Sequence, residues 1–142
     1  MRVLLVGLGL CVFGCSPGVR WSLGTFEDAR TQAAAKQRLL LVYFRNWYSV
    51  ECTRFEEEVL KHPSILAATA DLVCVPLEHS YSADASLARS WGLDGAPAVA
   101  IVDPTGSACE AISGPVSVQE LLAAIRRAKE RFAPQTQPVK SR

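Results

Sequence analysis

The stretch "NWYSVECTRFEEEVL", residues 46–60, sets a hydroxyl and a thiol, Ser49 and Cys52, three positions apart. That spacing places both on one turn at a helix start, where unpaired backbone N–H groups and the helix dipole favour negative charge. Two thiols so arranged exchange disulfides: an exposed, acidified thiolate attacks, and a more buried thiol resolves the mixed disulfide. Here the first of the pair is a hydroxyl. With no adjacent base it is far too weakly acidic to stand in for a thiolate at neutral pH, and serine is an ordinary helix N-cap. Cys52 is left either as a single thiol, able to form a mixed disulfide with a partner, or as a buried structural cysteine.

Other chemistry is sparse. His62 and His79 lack partners at ligand spacing and no Cys/His cluster is present, so neither metal nor cofactor is expected, and helix-cap and loop roles suffice for both. The run Glu56-Glu57-Glu58 falls early in a helix and reads as a solvated face. Charges nearly cancel, 15 Lys+Arg against 14 Asp+Glu, with no long run of either sign, which argues against a nucleic-acid partner.

The elements that must position these residues follow from caps and periodicity. "TFEDARTQAAAKQR" reads as an amphipathic helix with Thr25 as N-cap and Asp28 completing a capping box. "LLLVYF", residues 39–44, suits a strand buried on both faces. The helix that follows turns Phe55, Val59 and Leu60 to one side, and Pro63 starts a shorter one. "DLVCVPLE" is the next strand, and "SADASLARSWG" the next helix, ending at Gly92. "PAVAIVD" and "GSACEAIS" form a hairpin across "DPTG", and Ser117 with Glu120 caps the closing helix. Trp21 is expected to pack as an anchor. Together these predict an α/β three-layer sandwich, a mixed central sheet with flanking helices.

Residues 1–15, "MRVLLVGLGLCVFGC", begin with one positive charge, run apolar from Val3 to Phe13 and end in Gly-Cys. The run is too short for a mature membrane span, which takes about 20 residues. "VFGC" resembles the bacterial lipobox, with Phe13 a departure where something smaller is usual. The resemblance implies cleavage before Cys15, lipid on its sulfur and anchoring to a membrane without crossing it. The alternative is a plain signal peptide that leaves Cys15 an ordinary thiol. Ser16 lacks the aspartate that retains such proteins at the inner membrane of enterobacteria, and the choice of membrane is not encoded further. The expected organisation is a signal at residues 1–14, a linker at 15–24, one domain at 25–132 and a disordered tail at 133–142. Of five cysteines, Cys52, Cys74 and Cys109 then remain, an odd number for an exported chain.

From about Trp21 to Phe132 the chain resembles the thioredoxin-fold family, carried by "LLLVYFRNWYSVECTRFEEEVLKHPSI" and "WGLDGAPAVAIVDPTG". The variety in view begins with a helix rich in Ala and Lys and includes the C-terminal periplasmic domain of the transmembrane disulfide reductase. Matching Phe55, Glu56 and Pro63 to it puts Cys52 on the second cysteine of Cys-x-x-Cys, Ser49 on the missing first and Tyr48 on the preceding tryptophan. The family's buried acid, six residues before the first cysteine, falls on Tyr43. Both departures remove requirements of dithiol exchange. "GAPAV" resembles the cis-proline stretch, which implies a peptide-binding groove around Trp47, Tyr48, Ala96 and Pro97, or simply a proline that shapes the strand start. Cys74 and Cys109 fall on strands with two others between them, too far apart for a disulfide and expected in the core. The resulting expectation is a lipid-anchored domain facing the periplasm of a bacterial envelope. It would bind an exported or envelope protein or peptide, with a single-thiol oxidoreductase or chaperone as the alternative.

Overall fold

The computed structural model describes residues 18–133. The signal, Cys15 and the residues beyond 133 lie outside that span.

The chain runs α1 (Phe26–Lys36), β1 (Leu40–Arg45), α2 (Val50–Phe55), a π-helical turn (Glu56–Leu60), α3 (Pro63–Thr69), β2 (Val73–Glu78), α4 (Ser82–Ser90), β3 (Ala98–Val102), β4 (Ala108–Ser113) and α5 (Val118–Phe132). The strands form one sheet in the order β2-β1-β3-β4, with β1 parallel to β2 and antiparallel to β3, and β3 antiparallel to β4. This is the expected mixed sheet. Five consecutive residues of β1, Leu40 to Phe44, are buried because both faces are covered.

The period-two alternation of the strands sorts the core into two layers. Leu41, Tyr43, Cys74, Val99 and Ile101 face Phe55, Val59, Leu60, Ile65, Leu121 and Ile125. Leu40, Val42, Phe44, Val75 and Ala100 face Ala29, Ala33, Ala88 and Leu93. The helix α1 therefore packs through alanines rather than a large apolar stripe, a narrower amphipathicity than its sequence predicts, and small side chains let its backbone approach the sheet.

Helix boundaries are set by the residues that read as caps. Thr25 with Asp28 and Ser117 with Glu120 form full capping boxes, each side-chain cap contributing about 1 kcal/mol. Pro63 opens α3 behind His62, whose Nδ1 accepts the Ser64 N–H at 3.2 Å. Gly92 follows α4 with φ +73°, where a residue bearing Cβ would be strained. Trp21 pairs as an isolated parallel bridge with Cys74 at the outer edge of β2 and stacks obliquely on Tyr43, ring centroids 5.9 Å apart, as an anchor. Cys74 and Cys109 are separated by β1 and β3, and all three described cysteines are free. Cys74 is a core thiol. Cys109 is not fully in the core: it stands at the second residue of the edge strand β4 and is half-buried.

Candidate functional site

Antiparallel pairing of β1 with β3 sets Phe44 opposite Ala98. The loop leaving β1 and the loop entering β3 therefore meet at one end of the sheet. The first loop is held by its own polar groups. Asn46 Oδ1 accepts the Tyr48 N–H at 3.0 Å, and the Asn46 carbonyl accepts the Ser49 N–H at 3.1 Å, which turns the chain into α2. Ser49 Oγ then accepts the Cys52 N–H at 3.2 Å and caps the helix.

Cys52 lies one turn in, 2% exposed, and its Sγ accepts the Asn46 N–H at 3.4 Å. On its inner side is Tyr43, buried in the sheet, whose hydroxyl donates to Glu56 Oε1 at 3.1 Å. Burial first, then the Glu56 carboxylate and the Cys52 thiol, raise the Tyr43 phenol well above its ordinary range, so it stays a proton donor. Glu56 also lies 3.5 Å from Arg45 Nη2. The solvated reading of the acidic run thus fails at Glu56. Its own backbone is still α-helical, with its N–H bonded to the Cys52 carbonyl, so it lies one turn on from Cys52, while Glu57 reaches Lys61 at 2.6 Å and Glu58 faces solvent. The i, i+4 spacing of Cys52 and Glu56 was the available signal that the two share one face of the helix.

The aromatic residues of the loop point outward. Trp47 is 63% exposed and Tyr48 96%. The Arg45 guanidinium lies over the Trp47 ring at 3.8 Å from its centroid, a cation–π contact that steadies the indole. On the second loop, Gly92 and Gly95 have φ of +73° and +79°, the Ala96–Pro97 bond is cis, and the Pro97 carbonyl accepts the Gly114 N–H at 2.9 Å. Ala96 is half-buried and Pro97 buried. The structure so brings Trp47, Tyr48, Ser49 and Cys52 to the same sheet end as Ala96 and Pro97, with Cys52 beneath the surface and the aromatics above it.

The other thiols lie elsewhere. Burial, with Asp71 adding to it, pushes the Cys74 thiol up to about 12. Burial followed by Asp103 also raises Cys109. No group of three or more His, Cys, Asp or Glu that could hold a metal ion occurs among the described residues.

Residues 21–104 match the sequence profile of the family described as Thioredoxin-like. The chain belongs to the thioredoxin-like family. Solved structures agree at the level of the fold. A thioredoxin from Thermus thermophilus is 20% identical with a TM-score of 0.70, over 88% of this chain and 98% of that one. The oxidoreductase DsbH is 12% identical with a TM-score of 0.64, over 88% and 95%. The oxidised C-terminal domain of Neisseria meningitidis DsbD is 17% identical with a TM-score of 0.58, over 72% and 90%. No curated protein matches. Within this thioredoxin-like domain Ser49 caps the start of α2 and Cys52 lies shielded one turn in.

Proposed function

We propose that this is an exported protein, held at the bacterial cell envelope by lipid on Cys15 and facing the periplasm, whose thioredoxin-like domain binds an extended segment of another envelope protein and does not exchange disulfides. One observation carries the reading: at the helix start Ser49 is engaged as N-cap above a Cys52 that is 2% exposed, while Trp47 and Tyr48 beside it stand in solvent. The site has a platform and no attacking thiol. Large aromatic side chains with one polar end favour recognition of a protein segment, and Ala96, just before the proline, offers it a backbone edge. The anchoring rests on the sequence of residues 1–15, and no helix among the described residues is long and apolar enough to cross a membrane.

The test is affinity capture of the anchored full chain from envelope extracts beside the Trp47→Ala/Tyr48→Ala and Pro97→Ala variants. A partner retained by the parent chain and lost with the aromatic pair is the expected result. Identical partners on all three chains would remove the groove from consideration. Metabolic labelling with a radioactive fatty acid should be abolished by Cys15→Ala, and label retained in that variant contradicts the anchor.

A second reading keeps Cys52 as a working single thiol, in an oxidoreductase or thiol-dependent chaperone. It draws on the Asn46 N–H bonded to the Cys52 sulfur and on the Tyr43 hydroxyl beside that sulfur, itself bonded to Glu56. Rapid acid trapping of cells decides it, since a Cys52 mixed disulfide recovered there would favour the thiol reading.

A further inference from the structure

Beside the aromatic platform lies a cleft of about 500 Å³, bounded by the start of α1, the end of β2 and the start of α4. Its walls include Arg45, Trp47, Pro76, Glu78, Tyr81 and Asp84. Glu78 is 6% exposed. Its Oε1 accepts the Ser80 N–H at 3.3 Å and the Ser80 hydroxyl at 2.9 Å, whereas Oε2 is buried without a partner. Asp84, half-buried, accepts the Glu78 N–H through Oδ2 at 3.2 Å. Neither carboxylate forms an ion pair among the described residues. Arg45 is the one cation of the lining, and it is already drawn to the Trp47 face and to Glu56.

We propose that this cleft receives a cationic side chain, lysine or arginine, from the bound protein segment. The inference rests on the peptide-binding reading, because Trp47 is a wall of both the groove and the cleft. Two carboxylates against one guanidinium, whose Nε is itself buried without a partner, leave the cleft with excess negative charge, which repels an acidic ligand and attracts a basic one. A buried carboxylate with an unsatisfied oxygen is costly, and a cation brought into the cleft above it offsets that cost through low-dielectric protein, with direct contact falling to Asp84. Tyr81, 62% exposed, supplies a ring face for the charged head, one face of Trp47 being taken by Arg45. Pro76 and Leu77 line the same cleft and offer apolar surface to the methylene stem of a lysine or arginine. A divalent metal fits poorly, because two carboxylates without a third ligating side chain make an incomplete oxygen cage.

The test is a titration of the full-length chain in detergent, followed by two-dimensional proton–nitrogen NMR. The probes are end-capped heptapeptides Gly-Ala-Val-X-Val-Ala-Gly with X as arginine, lysine, citrulline or glutamate, and methylguanidinium alone. The Trp47 indole N–H, assigned with a Trp47→Phe variant, should shift with the arginine and lysine peptides. Citrulline, the neutral isostere of arginine, should bind about fivefold more weakly, and glutamate more weakly still. Asp84→Asn and Glu78→Gln, each retaining hydrogen-bonding shape, should abolish most of the preference for arginine over citrulline. Equal binding of the arginine and citrulline peptides, with shifts at Tyr48 and Ala96, would overturn the cationic cleft and leave peptide binding standing. Methylguanidinium shifting Trp47 in an Asp84-dependent way, with no peptide bound, would support the cleft and overturn the groove. Silence from every probe would overturn the cleft.

Discussion

Two loops close the same end of the sheet, residues 46–49 before α2 and residues 92–97 before β3, and they are built by different means. The first depends on side-chain identity: Asn46 Oδ1 shapes the turn and Ser49 Oγ caps the helix. The second depends on backbone conformation, with glycines at φ +73° and +79° and a main-chain bond from Gly114 to Pro97. A hydroxyl caps a helix well and attacks a disulfide badly, so on the proposed reading Ser49 keeps the geometry of the first loop without supplying an attacking thiol. The difference teaches that the shape of this sheet end rests on caps and backbone conformation, neither of which requires a thiol.

The largest expected effect that could break this contrast is in thiol alkylation. With its thiol pushed up to about 12 by burial, Cys74 is roughly one part in ten thousand thiolate at pH 8. Cys52, 2% exposed, is sterically shielded. Iodoacetamide at pH 8 should therefore modify the half-buried Cys109 well before either, and all three in urea, as read by peptide mass spectrometry. Fast native-state modification of Cys52 would return a reactive thiol to the first loop. The sign is fixed for Cys74: its raised value keeps it protonated, so its reactivity should climb only as pH rises towards that value.

Next in size is the support under the first loop. Phe55 is 2% exposed and meets the Tyr43 ring at a centroid distance of 5.6 Å. Phe55→Ala should cost about 3–5 kcal/mol in urea unfolding. If the loss were near zero, the loop would not depend on this packing. Gly95→Ala probes the second loop, where an added Cβ meets nothing within 4 Å and only the positive φ is penalised. The expected loss is about 1–2 kcal/mol. Ser49→Ala should cost about 1 kcal/mol through the lost cap. A larger cost, or a change in any measured activity, would mean the hydroxyl does more than cap.

The sequence disclosed the fold through features whose physics is local. Thr25/Asp28, Ser117/Glu120, Pro63 and Gly92 mark element ends by hydrogen-bond and backbone requirements that do not depend on distant packing. The buried run of β1 and the hairpin of β3 and β4 were equally legible from apolar patterning and turn residues. The candidate site was legible as a set of positions, but its contacts were not. Glu56 reaches Tyr43 from the end of α2, and nothing local marks which residue of the acidic run meets a strand residue thirteen positions earlier. The stacking of Arg45 on Trp47, and the cleft between residues as distant as Thr25 and Asp84, arise only when β1 and β2 end side by side. The alanine face of α1 was hidden for another reason: small residues give a weak periodic signal although they allow the closest approach.

The central claim is that this end of the sheet binds and does not exchange disulfides. Reduction of insulin by dithiothreitol, followed by turbidity with the full-length chain present, tests it most directly. The account predicts precipitation at the uncatalysed rate, unchanged in Cys52→Ala. Acceleration that disappears in Cys52→Ala would contradict it.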